Sequence, residues 1–445
     1  MFLPLSLLLT EGREPGHVVA IREGKDLTFE KFQKDVFDLS FKLQVGSCEP
    51  VILTAKDSYV FAVGFLALLH AGRLIVLPQN DQPKTLCSLK QKGFQLLQDG
   101  VYESTGAEIS CSKVPGVKSP KILDASVCEL EFYTSGSTGA PKKICKKLDQ
   151  LENEINILED YWGDISQDVV VATVSHQHIY GMLFKVLWPL CSGRPFDTSI
   201  LKTWGSLQPR LEKGCMIVSS PSHLSRFPEA FQVEDKQFPS IVFSSGGPLS
   251  YSAAQKAVLH LGCLPMEIFG STETGGIAYR QQNIDKTPWT PFKVVEVGQE
   301  EGALRVRSPY LSSENWYKTN DLISILINGQ FILKGRNDRI VKVEGKRVSL
   351  LQIEIFFVNH SLVEDTSVLI LEDERKSLAC IVVLNENGES LRAKLGDFRF
   401  CRKLRDELSE WFELESLPRR WRFVKQVPEN SQGKRVYEEL CALFD

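Results

Sequence analysis

The sequence predicts an α/β protein: a large N-terminal domain of mainly parallel sheets flanked by helices, with a small α+β domain behind it. Three observations carry that prediction. Short apolar runs alternate with helix-spaced segments over residues 51–77, and the alternation returns over residues 169–261. From Gly302 the texture changes to closely spaced strands and turns. After a polar break at Gly335 to Asp338 comes a segment of about a hundred residues with strands and a helix of its own, enough for a separate domain. The expected division is therefore 1–337 and 338–445, in keeping with a chain of 445 residues that exceeds one ordinary core.

Thr28 can cap a helix whose apolar positions Phe29, Phe32, Val36, Leu39 and Leu43 share one face, ending near Gly46. Val51 to Leu53 reads as a buried strand, Tyr59 to His70 as an apolar helix closed by Gly72, and Leu74 to Leu77 as a second strand, which makes a βαβ unit. Further on, the expected elements are a strand Val169 to Val174, a helix around Tyr180 to Leu190, a strand Cys215 to Val218 and a helix from Ser222. A strand Ile241 to Phe243 and a helix Ser250 to Leu261 complete the alternation. Ser324 to Ile327, Asn328-Gly329 and Gln330 to Leu333 form a hairpin signal, Asn-Gly favouring a type I′ turn. The C-terminal segment should hold strands Ser367 to Leu371 and Ala379 to Leu384 and a helix Leu404 to Leu414.

Composition narrows the class. Hydrophobic residues make up 43% and charged residues 24%, as in soluble globular proteins, and the net charge of −4 excludes a general nucleic-acid binder. Eleven cysteines occur without a C-x-x-C pair, which suits reduced thiols in a cytoplasmic protein. Met1 to Thr10 is apolar but lacks a basic n-region and a small-residue cleavage site, so a buried N-terminal segment is expected. No uncharged run reaches spanning length.

Several segments carry chemistry. Phe132 to Lys143 crowds hydroxyls, glycines and lysines into one stretch. Gly136 and Gly139 allow close backbone approach, Thr134, Ser135, Ser137 and Thr138 offer donors, and Lys142 adds a mobile positive charge, a combination suited to polyphosphate. The same composition suits a surface linker. The Walker pattern is not met, because Pro141 stands where its second glycine would and no serine or threonine follows Lys142. Ser245-Gly246-Gly247-Pro248 follows a strand end, where open parallel sheets bind ligands. In Ile268 to Gly275, Phe269 can stack on a base, Gly270 makes a turn and Glu273 can hold Mg²⁺, although a loop Thr-Glu pair also serves as a cap. Asp321, at the entrance to the hairpin, can accept hydrogen bonds from ribose hydroxyls. Gly335 to Val348, with Arg336 and Asp338, and Asn430 to Lys434 complete the set.

Taken in order, these segments resemble the successive core motifs of the AMP-forming adenylating superfamily, which includes acyl-CoA synthetases, adenylation domains of nonribosomal peptide synthetases and firefly luciferase. The likeness runs roughly from Leu27 to Leu440. It implies ATP-dependent activation of a carboxylic acid to acyl-AMP with release of pyrophosphate, then transfer to the phosphopantetheine thiol of coenzyme A or of an acyl carrier protein. ATP and Mg²⁺ are the implied cofactors, and the C-terminal domain is implied to be mobile, with Asp338 as its hinge. By position, Thr134 to Gly139 and Lys142 would bind the β- and γ-phosphates, Thr272 would contact the α-phosphate and Glu273 would hold Mg²⁺. Ser245, Gly246, Gly247 and Pro248 would line the adenine and acyl pockets, and Phe269 would stack on adenine. Asp321 would bind ribose, Arg336 ribose or phosphate, and Lys434 the carboxylate and α-phosphate. A lysine suits that last task, being a compact charge on a flexible stem. The resemblance also places His178 and Gly181 beside the acyl site. His176 and His178 could instead suggest a metal site, but no cysteine or carboxylate accompanies them. The alternative is a catalytically weak nucleotide or acyl-AMP binding protein, against which the presence of Glu273, Asp321, Arg336 and Lys434 argues.

Three positions depart from the family pattern: Asn320 for a glycine, Lys143 for a glycine, and Tyr437 for an arginine. The run Lys142 to Leu151 is similar to acyl-activating proteins of bacterial aryl-polyene and related pigment clusters, which use a carrier protein. Two basic runs, Arg399, Arg402, Lys403, Arg405 and Arg419, Arg420, Arg422, Lys425, could steer an acidic carrier, and equally could be solvated charge.

Overall fold

The structure, a computed structural model, describes residues 1–44, 48–103, 121–134, 142–165, 168–211, 214–228, 231, 238–336, 339–343, 346–371, 377–410, 412, 417–430 and 435–444. Contacts divide the chain into two compact units. One comprises Met1–Leu249, Ala253–Glu296 and Arg307–Tyr317, the other Ser250–Ser252, Val297–Val306 and Lys318–Asp445.

The first unit is built on two sheets. One has nine strands, of which six run parallel: in spatial order Met266–Ser271, Ile241–Ser244, Cys215–Ser219, Val169–Ala172, Phe196–Ile200 and Val18–Arg22. Antiparallel strands close its edges, Gly275–Arg280 and Thr290–Pro291 on one side and Lys25–Thr28 on the other. The second sheet has six strands. Gln95–Gln98, Val51–Thr54, Ile75–Leu77 and Glu129–Thr134 are parallel, and Val101–Glu103 and Lys142–Lys147 pair antiparallel at its two edges. Strands covered on both faces read as continuous apolar runs. Accordingly, every residue of Val51–Thr54, Cys215–Ser219 and Ile241–Ser244 is buried. The helix Ser58–His70 is apolar almost all round and mostly buried, and Asp57 caps it by accepting from Tyr59 N and Val60 N. The helix Phe29–Gln44 buries one stripe through Phe29, Phe32, Val36 and Leu43. Leu3, Leu5, Leu8 and Leu9 of the N-terminal segment are buried as expected.

One expected helix has a different form. Around residues 180–190 the chain runs as a short α-turn at Ile179–Gly181, a π-helical stretch Met182–Leu187 and an α-helix Trp188–Ser192. Lys185 lies buried in the π-helical stretch and donates to Ser199 O at 2.6 Å. Burial pushes its ammonium down to about 7.

In the second unit the hairpin forms, but not with the expected turn. Its strands, Tyr317–Ile325 and Phe331–Arg336, are joined by five residues, and of Asn328 and Gly329 only the glycine is left-handed, at φ +81°. A type I′ turn needs both residues left-handed. Here Asn328 uses its side chain to accept from Gln330 N at 3.1 Å, while Gly329 N bonds Leu326 O at 3.0 Å. A three-stranded sheet, Val363–Leu371, Ser377–Leu384 and Arg420–Phe423, then separates two apolar clusters. Val368, Leu378, Cys380 and Val382 face one cluster, Leu369, Ala379, Ile381 and Val383 the other, the two-residue period of a doubly covered sheet. The helix expected at Leu404 to Leu414 is instead Asp397–Ser409, because its buried stripe starts at Phe400 and continues through Leu404 and Leu408. A helix Glu386–Leu395, capped by Asn385, precedes it. Among the described residues no helix is long and apolar enough to cross a membrane, and no cysteine forms a disulfide.

The expected boundary at residue 338 lies inside the second unit. Asp338 itself is outside the described residues, but Arg339 beside it is anchored. Its guanidinium forks onto the largely buried Glu354 at 2.8 and 2.6 Å, and Glu354 also accepts from Val368 N at 2.8 Å. Arg339→Met should therefore lower the unfolding free energy by about 2–4 kcal/mol in urea titrations, since it strands a buried carboxylate, and adding Glu354→Met should recover much of the loss.

Candidate active site

In the first unit two hairpins meet. Glu129–Thr134 and Lys142–Lys147 pair with Thr134 opposite Lys142, so the two described ends of the segment expected to hold phosphate stand side by side, and Thr134 Oγ1 donates to Lys142 O at 3.5 Å. Ser135, Gly136, Ser137, Thr138 and Gly139 lie outside the described residues. Met266–Ser271 and Gly275–Arg280 form the other hairpin, whose turn carries Thr272 and Glu273. Ser271 and Thr274 brace this turn through reciprocal bonds: Ser271 N donates to Thr274 Oγ1, and Thr274 N to Ser271 Oγ, each at 3.2 Å.

Lys142 Nζ stands 2.9 Å from Glu273 Oε1 and so joins the two hairpins. Burial tends to raise the Glu273 carboxyl, but the bond from Lys142 and the other bonds at the turn outweigh it, holding the group below its ordinary value. The same bond raises the Lys142 ammonium. Lys143, the departure from the family pattern, is committed elsewhere: its Nζ pairs with Glu131 at 2.8 Å across the hairpin, and that bond raises its pKa.

The other expected residues of this unit take varied places. Phe269 is half-buried against Trp289, ring centroids 5.4 Å apart, and Arg280 stacks over the same Trp289 while forking onto Glu267. Gly270 is needed on steric grounds, since a Cβ there would stand 2.3 Å from Gly275 O. Ser245 Oγ donates to Ile268 O at 2.8 Å, tying the end of one parallel strand to its neighbour. Gly246 is left-handed at φ +89°, and Gly246, Gly247 and Pro248 are exposed beyond that strand end. Thr272 is half-buried at its turn.

Of the two histidines, His176 is the structural one. It is wholly buried, with Nε2 2.8 Å from Ala55 O and Nδ1 2.9 Å from Ser58 Oγ, so the neutral ring donates from Nε2 and accepts at Nδ1. Burial pushes its pKa down to about 3. His178 is half-buried where the next helix starts, its carbonyl accepting from Met182 N at 2.7 Å. Gly181 tolerates no side chain, since a Cβ would stand 2.1 Å from Ser175 O. Among the described residues no group of three or more histidine, cysteine or acidic side chains could hold a metal ion by itself.

In the second unit Asp321 and Arg336 are cross-strand partners, with Arg336 Nη1 3.2 Å from Asp321 Oδ1. Lys434 is outside the described residues, as is Asp338. Arg435, next to Lys434, forks onto Asp365 at 2.7 and 2.8 Å, and Tyr437 donates to Ile370 O at 2.6 Å. The second basic run turns inward on the chain end, with Arg420 bonded to Phe444 O and Arg422 to Leu443 O, whereas Arg399 and Arg402 are exposed.

Sequence reasoning missed Lys146, Gln150, Glu154 and Tyr310, all buried beneath the Glu273 turn. Two signals could have revealed three of them. Lys146 shares strand parity with Lys142, and Gln150 and Glu154 sit one helical turn apart inside the apolar stripe of the helix Leu148–Trp162.

A sequence profile described as AMP-binding enzyme matches residues 84–313. The chain is 22% identical over 428 residues to the malonate–CoA ligase of Arabidopsis thaliana, covering 82% of this chain and 69% of that protein. It is also 22% identical over 483 residues to the D-alanine–D-alanyl carrier protein ligase of Staphylococcus aureus, covering 96% of each. Among solved structures, o-succinylbenzoate coenzyme A synthetase of Bacillus subtilis in complex with AMP has a TM-score of 0.78 at 17% identity, covering 99% of this chain and 98% of that one.

Two outcomes follow from this geometry. Gly270→Ala should cost about 1–3 kcal/mol of stability, read by thermal melting, because backbone must move to admit the methyl group. His176 gains protons on unfolding, since its folded pKa lies far below the unfolded 6.5. Stability should be fully present above pH 6.5 and fall as the pH drops below it, by up to about 1.4 kcal/mol per pH unit from this group, as read by urea unfolding at pH 7.5 and 5.5.

Proposed function

Because the chain belongs to the AMP-binding enzyme family, we propose that it activates a carboxylic acid with ATP and passes the acyl group to a phosphopantetheine thiol. The observation that carries this reading is the meeting of Lys142, at the end of the phosphate-loop segment, with Glu273 on the second hairpin. In the first step a carboxylate oxygen of the acid attacks the α-phosphorus of ATP, and the bond to the bridging oxygen breaks, giving acyl-AMP and pyrophosphate. In the second a thiolate attacks the acyl carbonyl carbon and AMP leaves with the bonding electrons.

Attack of one anion on another gains little from covalent help. It needs positioning and positive charge aimed at developing oxyanions. Thr134, the segment that follows it and Lys142 take the β- and γ-phosphates, and Thr272 the α-phosphate. Phe269, with Ser245, Gly246 and Gly247, takes the adenine. Asp321 takes the ribose, Arg336 the ribose or a phosphate, and Lys434 the carboxylate and α-phosphate. His178, Gly181 and Pro248 border the acid, and Asp338 is the hinge of the C-terminal segment.

The residues present suit Mg²⁺. Glu273 is a partly accessible carboxylate, held ionised and already facing a cation in Lys142, and a single carboxylate with substrate phosphates is how Mg²⁺ is commonly bound. Glu273 would hold the ion, which when bound supplies charge neutralisation at the phosphates.

The acceptor is coenzyme A or a carrier protein, the two kinds of thiol named for its relatives. Arg399 and Arg402, exposed on one helix, favour an acidic carrier.

Lys434→Ala should lower ATP–pyrophosphate exchange by about 10²-fold or more, the loss expected when charge aimed at an oxyanion is removed. Transfer from supplied acyl-adenylate should persist, and unchanged exchange would refute the assignment. A panel of acids run in parallel with coenzyme A and with holo-carrier protein, read by mass spectrometry of the thioester, identifies both acid and acceptor.

A further inference from the structure

The strand Lys142–Lys147 alternates in burial: Ile144 and Lys146 are buried, while Cys145 and Lys147 are exposed. Lys142 and Lys146 therefore share a face, and both reach the same residue. Lys142 binds the carboxylate of Glu273, and Lys146 donates to its backbone carbonyl at 3.3 Å and to Tyr310 O at 3.0 Å. From the following helix, Gln150 Nε2 donates to the same Tyr310 O at 3.0 Å. One helical turn later, Glu154 Oε1 accepts from Gly276 N at 2.7 Å. The turn between these contacts sits flush on the carboxylate. Gly275 is left-handed at φ +68°, and a Cβ there would stand 2.8 Å from Glu154 Oε2 and 2.9 Å from the Tyr310 ring.

Lys146 and Glu154 are only 3% and 6% exposed. If the site needed only filling, an apolar pair of similar volume would serve stability as well or better. What charged side chains add is direction. One fixes the carbonyl of residue 273, the other the N–H of residue 276, three residues apart on either side of the turn.

Resting on the activity proposed above, we propose that Lys146 and Glu154 are positioning residues for Glu273. They lock its turn from beneath to the strand whose first residue, Lys142, ends the phosphate-loop segment. The Glu273 carboxylate is thereby held in fixed register with the phosphates before any ligand arrives. Neither residue touches substrate in this role.

The test uses the full chain with Lys146→Met and Glu154→Met, singly and combined. The double variant removes both charges at nearly constant volume and so avoids an unpaired buried ion. Two measurements are made. Hydrogen exchange, read by mass spectrometry of the peptide spanning Met266–Arg280 in ligand-free protein, should show faster exchange at Gly276 in the double variant. Binding of a fluorescent, non-hydrolysable ATP analogue, followed by anisotropy while Mg²⁺ is titrated, should need about tenfold more Mg²⁺ for half-saturation, with Mg²⁺-free affinity unchanged within about twofold. A folded double variant with wild-type exchange at Gly276 and wild-type Mg²⁺ dependence overturns the proposal. If the double variant melts at the assay temperature, Glu154→Met alone decides by the same two readings. If the wild-type chain binds no ATP analogue at any Mg²⁺ concentration, the activity reading fails, while the exchange at Gly276 still decides whether the two residues hold the turn.

Discussion

The ion pair between Lys142 and Glu273 is the constraint that ties the first unit's two hairpins together. It joins the edge of one sheet to the edge region of another, because each partner sits at a hairpin end: Lys142 opposite Thr134, and Glu273 in the turn between Met266–Ser271 and Gly275–Arg280. A cation at the start of one strand and an anion at the turn of the other hairpin hold opposite signs of charge 2.9 Å apart. The pair is partly accessible, so its own contribution to stability is small. Its importance is geometric, and the rigidity comes from what lies beneath it.

Beneath it the structure accepts an electrostatic cost. Lys146 and Glu154 are both removed from water, and burial drives each toward its neutral form, lowering the ammonium and raising the carboxyl. Each opposes that effect in the other, which is why the pair survives as a unit. Lys143 shows the opposite solution a few residues away. Its charge is neutralised at the surface by Glu131, and no buried backbone group depends on it. Two lysines four residues apart on the inner face and one between them on the outer face thus have separate duties set by strand parity alone.

Much of this was legible in the sequence and some was not, for identifiable reasons. The parallel strands were plain because burial on both faces makes them continuous apolar runs, as in Cys215–Ser219 and Ile241–Ser244. The Glu129–Thr134 and Lys142–Lys147 strands were not, since the first is short and interrupts its apolar residues with two glutamates, and the second, at the sheet edge, is lysine-rich and reads as solvated loop. Missing that strand meant missing the parity that places Lys146 beside Lys142. The C-terminal helix was displaced by several residues because Phe400, the first residue of its buried stripe, was not counted in the pattern. The Asn328-Gly329 turn shows a local competition: the Asn328 side chain satisfies Gln330 N, which lets the loop widen to five residues. His176 was visible as a histidine, but only the structure separates its role as a core strut between Ala55 and Ser58 from that of His178.

The register of the first hairpin has a consequence for how this region tolerates change over time. Thr134 and Lys142 are fixed by six successive cross-strand pairs that run back to Glu129 and Lys147, and none of those pairs draws on the residues joining the two strands. Substitutions there, and insertions or deletions as well, leave the two lysines of the inner face where they are. The sequence between the two strands is free to drift while the pairing on either side keeps its dimensions, a modularity seated in the strand pairing itself.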